Sequence, residues 1–402
     1  MKFFRFITTL TGALFYNSLI FSQIDTLFFK AKAFEHEKLY DSSLIYYSKT
    51  PEKKDNVLSL LLGKANSLYQ LTMYNEAIND FKKADKIEAD AGTFGLARCY
   101  AHMGDKNKAI EYLQKHLSSK YRLPEPEVKL DKAFIWLSNT SEWKNLWSKD
   151  WYSRYEDQVR DAESLLKNKD YLGVIEFVNN NVKSSSHKHE LIAIRAKAYY
   201  ESGSYNMAVN DYSVAIKIFR KNKFYFFERA INYDKLQDYK ESSDDYTMAL
   251  KLDPYYFEAY SLRAEALRKL GRFTDAQNDI EFYLWLFPGD KNALFEAGLI
   301  TYDAKSYVSA LKYFNKLMKI DSTNVLCIEK RGNVYESLKM YVYAEKDYSN
   351  ALMLHPDNVE LLYRRGVIRY AMNNKSDACV DWKKAMKMGH FMASECIQRY
   401  CK

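Results

Sequence analysis

The chain has 402 residues, of which 47% are apolar and 16% aromatic, and its 13 glycines and 6 prolines are too few for long irregular regions or hairpin-rich sheets. The formal net charge is +8 at pH 7, but the 60 basic and 52 acidic residues are spread along the chain. Because no basic block could follow a phosphate backbone, we predict a solvated surface and no nucleic-acid partner.

The first residues have the pattern of a secretory signal peptide. Lys2 and Arg5 precede an apolar run over residues 6–21, and a polar exit ends at Gln23. The run, about 16 residues, is shorter than the ~20 that span a bilayer. We therefore predict residues 1–23 as a signal peptide cleaved after Gln23, with an uncleaved helical anchor as the alternative. Cleavage would leave no membrane span and an exported protein of the periplasm or cell envelope.

Residues 24–118 carry small and aromatic side chains at the spacing of paired helices, in units that start near Ile24, Leu58 and Asp90. In the second unit these residues are Ala65, Tyr74, Ala77, Phe81 and Ala84. We predict N-terminal helix pairs over this range.

Residues 119–154 interrupt the pattern. Pro124 and Pro126 break it, and a cluster of rings follows at Phe134, Trp136, Trp143, Trp147 and Trp151. We interpret this insert as a divergent helix pair that packs its rings into the core. The alternative is an exposed aromatic surface that binds a glycan or another partner.

Residues 155–392 form a repeat array. From His189 onward the period is 34 residues, and the units start at 189, 223, 257, 291, 325 and 359. Position 8 of each unit is small, at Ala196, Ala230, Ala264, Gly298, Gly332 and Gly366. Position 24 is aromatic in all units except one, at Tyr212, Tyr246, Ile280, Phe314, Tyr348 and Trp382. A fixed period of helix pairs predicts a solenoid.

The stretch 258–288 shows the pattern most fully. Its landmark residues are Ala264, Leu267, Gly271, Phe273, Ala276, Ile280, Tyr283 and Pro288. Here Gly271 permits a turn between two helices and Pro288 ends the second. The order of small, aromatic, small, aromatic and proline residues resembles the tetratricopeptide repeat family. The resemblance implies an all-α, right-handed superhelical solenoid of antiparallel helix pairs, with about nine to ten units. The composition and the WKKAMKMGH segment also resemble exported repeat proteins of Bacteroidota-type bacteria.

Opposite charges recur inside the units. Position 7 holds Arg195, Arg229, Arg263, Arg331 and Arg365. Position 23 holds Asp211, Asp245, Asp279, Asp347 and Asp381. The unit at 291 lacks both, with Ala297 and Tyr313 in their places. We predict an Arg–carboxylate pair that joins the two helices of a unit and has a structural role.

Residues 393–402 are predicted to form a short helical cap over the last unit. Cys379, Cys396 and Cys401 lie near this end, and we predict a disulfide between two of the three, with the pairing open. A zinc site completed by His390 is the less favoured alternative. The chain contains no HExxH, P-loop, GxSxG or GxGxxG motif, so we predict no catalytic residue, metal or cofactor.

In the tetratricopeptide family the first helices of successive units line a concave groove. Positions 5, 9 and 12 share one face of this helix and vary from unit to unit, as a recognition surface would. The candidate residues for binding a protein or peptide are Lys197, Tyr200, Phe227, Arg268, Phe295, Tyr302, Asn333, Tyr363 and Tyr370. The sequence thus favours a non-enzymatic adaptor or assembly scaffold. An envelope-associated module with a tryptophan-rich glycan surface and a structural spacer are the alternatives.

Overall fold

The computed structural model describes residues 26–182 and 188–401, and the predicted signal peptide lies outside these ranges. Every regular element in this part of the chain is helical. The chain divides into two compact units. The first runs to Asp238 and includes Met248–Tyr256, and the second consists of Tyr239–Thr247 and the residues from Phe257 onward.

The N-terminal part of the first unit contains three helix pairs: α1 (Thr26–His36) with α2 (Tyr40–Lys49), α3 (Val57–Gln70) with α4 (Tyr74–Ile87), and α5 (Thr93–His102) with α6 (Lys106–Ser118). Short helices follow: α7 (Glu125–Lys129), the 3-10 helix η1 (Lys132–Leu137) and α8 (Ser141–Leu146). Regular pairs then resume: α9 (Arg154–Lys167) with α10 (Tyr171–Asn181), and α11 (His189–Glu201) with α12 (Tyr205–Ile218). The next helices are α13 (Lys223–Lys235) and α14 (Tyr239–Leu252).

The second unit continues with four pairs: α15 (Glu258–Lys269) with α16 (Phe273–Leu286), α17 (Lys291–Asp303) with α18 (Tyr307–Ile320), α19 (Val325–Ser337) with α20 (Tyr341–Leu354), and α21 (Val359–Ala371) with α22 (Lys375–Lys387). A final helix, α23 (Phe391–Tyr400), packs against α22. The prediction of an all-α solenoid built from antiparallel helix pairs is confirmed.

The two helices of a pair are joined by a residue in the left-handed conformation. Gly271, predicted at such a turn, has φ of 74°, and its N–H donates to the Arg268 carbonyl at 2.9 Å. The same place is held by Lys305 and Lys339, with φ of 60° and 58°. A single residue other than glycine can adopt this backbone conformation at a cost of about 1–2 kcal/mol. The turn is therefore repeated in units that lack the glycine.

The small residue at position 8 lies against the ring at position 24 of the same unit. A Cβ atom on Gly298 would lie 2.4 Å from the Phe314 ring, and one on Gly366 would lie 2.5 Å from Trp382 Nε1. Where Ala264 stands at position 8, Ile280 replaces the ring, and both are buried. This contact fixes how closely the paired helices approach, and the predicted roles of positions 8 and 24 are confirmed.

The predicted pairs between position 7 and position 23 are also present. Arg263 Nε and Nη2 donate to the two carboxylate oxygens of Asp279 at 2.6 and 2.7 Å. The same two-pronged geometry joins three further pairs: Arg195 with Asp211, Arg331 with Asp347, and Arg365 with Asp381. In the N-terminal part Lys64 Nζ lies 3.3 Å from Asp80 Oδ2. The prediction of an interhelical ion pair is confirmed for these units.

Each arginine has a third contact, which reaches back to the preceding repeat. Its Nη1 donates to the residue 16 positions earlier, which is position 25 of the repeat before it. The acceptors are Asn179 for Arg195, Ser213 for Arg229, Thr247 for Arg263, Asn315 for Arg331 and Ser349 for Arg365. In the unit that has Tyr313 in place of the aspartate, the Tyr313 hydroxyl donates to Glu281, again at position 25, at 2.9 Å. One side chain thus ties three helices together.

The insert packs its rings inward. Phe134 is fully buried, Trp143 is 7% exposed, and both belong to the hydrophobic cluster that includes the third helix pair. Trp147 and Trp151 pack against the same cluster, and Trp151 Nε1 donates to the Leu146 carbonyl at 2.7 Å. The interpretation of the insert as a divergent segment packed on the solenoid agrees with this geometry.

Candidate partner-binding groove

Three candidate positions on α17 form an apolar stripe. Phe295, Leu299 and Tyr302 stand at i, i+4 and i+7, so they share one face of the helix, and all three are only partly buried. The Phe295 ring packs on Phe314, and the Tyr302 ring packs on Tyr307. Their remaining surface contacts solvent. We call these three residues the α17 stripe.

Arg268 stands beside the α17 stripe but is held by two carboxylates. Its Nε donates to Glu296 at 2.5 Å and its Nη1 to Asp303 at 2.9 Å, and its side chain is only 11% exposed. Burial raises the pKa of Glu296, and the Arg268 guanidinium opposes that effect. Arg268 therefore joins neighbouring repeats and does not offer an unpaired charge to a ligand.

Asn333 belongs to the interior. It is 9% exposed, and its Oδ1 lies 2.8 Å from the Tyr348 hydroxyl. The same hydroxyl lies 2.5 Å from Glu336, and burial raises the pKa of Tyr348 well above its usual range. Arg364 Nη1 donates to Glu336 at 3.3 Å. The predicted recognition role of Asn333 is replaced by this buried polar cluster.

The last two candidates, Tyr363 and Tyr370, pack against the end of the chain. The Tyr363 ring stacks on His390 with 4.4 Å between centroids, and the Tyr370 ring lies 4.5 Å from Tyr400. These contacts come from α23 and the turn before it, so the two tyrosines form the surface on which the C-terminal cap packs.

The cysteines at this end resolve into one pair and one thiol. A disulfide joins Cys379 of α22 to Cys401, which follows α23. Cys396 is free and partly buried in the same hydrophobic cluster, where burial raises the pKa of its thiol. The disulfide closes the chain around α23.

The candidates in the first unit differ in exposure. Lys197 is exposed and Tyr200 is half-buried beside Tyr205. Phe227 is 8% exposed and packs on Tyr256, with 4.4 Å between ring centroids. Phe227 is therefore covered from within its own repeat, because Tyr256 is the last residue of the unit that starts at 223.

A second charge pattern, between repeats, was not anticipated from the sequence. Arg268 at position 12 pairs with Glu296 at position 6 of the next repeat, and Glu336 pairs with Arg364 at the same two positions. The sequence signal for this pattern is a pair of opposite charges 28 residues apart. Glu228 also stands at position 6, but Tyr200 occupies position 12 before it.

The tryptophans do not form an exposed platform. A glycan surface would require Trp143, Trp147 and Trp151 to be exposed and aligned, whereas Trp143 is buried and the other two are packed on the core. Among the tryptophans of the insert, only Trp136 is largely exposed, at 46%. The glycan interpretation is corrected accordingly, since the rings supply the core that the short helices lack.

The residues that the structure describes contain no group of three or more histidines, cysteines or acidic residues able to hold a metal ion. Across the same residues, no helix combines the length and apolar character needed to cross a bilayer.

Two family models described as tetratricopeptide repeat match the chain, one at residues 227–276 and 261–325 and the other at residues 92–117. A TPR repeat-containing protein of Methanocaldococcus jannaschii is 25% identical over 370 residues, which cover 87% of this chain and 61% of that protein. Serine/threonine-protein phosphatase 5 of Rattus norvegicus is 25% identical over 186 residues, covering 46% and 35%. The chain spans less than two thirds of the length of these curated relatives.

Solved structures of two Bacteroidota proteins are similar to the chain. The C-terminal part of a TPR repeat-containing protein from Cytophaga hutchinsonii has a TM-score of 0.51 at 19% identity, covering 59% of this chain and 98% of that one. A tetratricopeptide repeat protein from Parabacteroides merdae has a TM-score of 0.47 at 20% identity, covering 62% and 99%. At this identity the Cytophaga structure supports the fold alone. With its 34-residue helix pairs and these matches, the chain is a tetratricopeptide repeat protein.

Proposed function

We propose that this protein is a non-enzymatic scaffold, exported to the periplasm or cell envelope, that binds another protein through the grooves of its repeats. Tetratricopeptide repeats form protein-interaction surfaces, and the relative that is an enzyme, phosphatase 5, shares only 35% of its length with this chain. The leader-like first 23 residues support export.

The α17 stripe is the observation that carries the proposal. Several other candidates make internal contacts, as Asn333 does with Tyr348, or contact the cap, as Tyr363 does. Leu299 and Tyr302 instead keep partly exposed apolar surface on one helix face. Anchors at i, i+4 and i+7 suit an extended segment or an amphipathic helix laid into the groove.

The test is affinity capture from an envelope extract of the source cells, followed by mass spectrometry. The groove variant carries Leu299→Ala and Tyr302→Ala. The matched control carries Val308→Ala and Val342→Ala, which remove apolar surface from side chains that are 76% and 70% exposed on second helices. We expect a specific protein to be recovered by the native and control chains and lost with the groove variant. Equal recovery by all three would reject the groove, and recovery of nothing by any chain would favour a spacer.

A further inference from the structure

A buried arginine in the second unit shows how a groove of this protein holds a guanidinium. Arg268 reaches from position 12 of one repeat to Glu296 at position 6 of the next, and Asp303 takes a second nitrogen. Glu336 and Arg364 repeat the arrangement with the charges reversed. In both cases position 6 receives its opposite charge from position 12 of the repeat before.

Glu228 stands at position 6 of α13 without such a partner. Position 12 of the preceding repeat is Tyr200, whose ring is half-buried and carries no charge. Burial raises the pKa of Glu228, while Lys197 lowers it and Glu201 raises it further. Within the described part of the chain no hydrogen bond or ion pair engages its carboxylate.

Asn232 stands one turn further along the same face of α13. Its Nδ2 donates to the Glu228 carbonyl at 2.8 Å, and the side chain is fully buried. Its Oδ1 has no hydrogen-bond partner in the structure. A buried amide oxygen without a donor costs about 1–3 kcal/mol, so a donor that reached it would be stabilised.

The surrounding charge is also negative. The charged groups that act on Glu228 are Lys197 and Glu201. The two carboxylates, Glu228 and Glu201, outweigh the single Lys197 ammonium, so the site keeps a net negative charge. A cationic donor fits this environment, and an anionic or purely apolar ligand does not.

We infer that the groove between Tyr200 and Glu228 binds an arginine side chain of the partner, which takes the place that Arg268 fills between its own repeats. The planar guanidinium suits the site better than an ammonium, because it can donate to Glu228 and to a second acceptor while its face lies on the Tyr200 ring. The inference rests on the proposed scaffold function, since it names the chemistry of the partner.

The test uses fluorescence anisotropy with two labelled peptides of glycine and serine, one carrying three arginines and the other three citrullines, at physiological salt. Citrulline keeps the shape of arginine and removes its charge. We expect the native protein to bind the arginine peptide at least about tenfold more tightly than the citrulline peptide. Glu228→Gln should abolish this preference. Glu176→Gln, which removes the same charge from an exposed site on the second helix α10, should preserve it.

Tyr200→Arg is a second, independent variant. It supplies the missing cation from within the chain, so it should raise the melting temperature and block the arginine peptide. Equal binding of the two peptides by the native protein, or an unchanged preference in Glu228→Gln, would overturn the inference. In either case a captured protein that still depends on Leu299 and Tyr302 would leave the scaffold function standing, because that experiment reads a different site.

Discussion

The pair between Arg263 and Asp279 gives a quantitative test of the repeat architecture. Their side chains are 16% and 8% exposed, and two hydrogen bonds of 2.6 and 2.7 Å join them. Removing one partner leaves the other charge buried and unpaired, which typically costs about 3–5 kcal/mol. Because some solvent reaches Arg263, we expect Arg263→Ala and Asp279→Asn each to lower the free energy of unfolding by about 3 kcal/mol.

The chain suggests the matching double replacement, because its own unit at 291 folds with Ala297 and Tyr313 in these two places. We expect Arg263→Ala with Asp279→Tyr to cost no more than either single change that removes a charge. The new tyrosine would face Thr247 as Tyr313 faces Glu281. The cycle is closed with Asp279→Tyr alone, which also leaves Arg263 unpaired, and its coupling should be about 3 kcal/mol.

Hydrogen exchange read by mass spectrometry over α15 and α16 is the suitable assay, because units of a solenoid open locally. The exposed pair Arg272 and Asp275, at 56% and 49% exposed, serves as the control. Its single changes should stay within about 0.5 kcal/mol. Additive effects of the Arg263 and Asp279 changes would refute the structural role of the buried pair.

Three further predictions follow from the same packing. Gly366→Ala places a Cβ 2.5 Å from Trp382 Nε1. Because overpacking outweighs the helix propensity gained by alanine, we expect the free energy of unfolding, measured by urea titration, to fall by about 1–2 kcal/mol. A rise in that free energy would show that the ring moves freely. Burial lowers the pKa of His116 from 6.5 to about 4, so protonation of this residue favours the unfolded chain. The free energy that protects α6 from hydrogen exchange should therefore fall by up to about 3 kcal/mol as the pH drops from 6.5 to 4. A pH profile of exchange that is the same in His116→Phe would contradict this. Reducing the disulfide between Cys379 and Cys401, which are 22 residues apart, should destabilise α23 by about 3 kcal/mol. The control Cys396→Ser should leave hydrogen exchange of α23 unchanged. Equal protection of α23 with and without reductant would show that packing alone holds the cap.

The fold was predictable because packing positions must be uniform. Every repeat has to place a large side chain at position 24 over a small residue at position 8, as with Trp382 over Gly366, so the period is visible in one sequence. The ion pair was predictable for a similar reason, since its two members appear and vanish together. The contact from Arg263 to Thr247 was not, because its acceptor belongs to the preceding repeat and is Asn, Ser or Thr in different units.

The groove was harder to predict, because positions 5, 9 and 12 face two ways. Phe227 shares its position with Phe295, yet it is buried against Tyr256 while Phe295 stays partly open. Asn333 looks like a ligand-binding amide until Tyr348 is seen to reach it from the second helix. Helical spacing gives the face of a side chain, but only the structure shows whether another part of the repeat already covers it.

The third contact of each arginine gives assembly of the array a direction. A chain is synthesised from its N-terminus, so the second helix of a repeat receives this hydrogen bond only after the first helix of its successor has arrived. Each newly synthesised first helix therefore stabilises the repeat made before it, as Arg365 does by donating to Ser349. The repeat that starts at 359 is followed by α23 and carries Lys383 at the accepting position. Its second helix is held instead through Cys379, by a covalent bond that can form only once Cys401 has been synthesised.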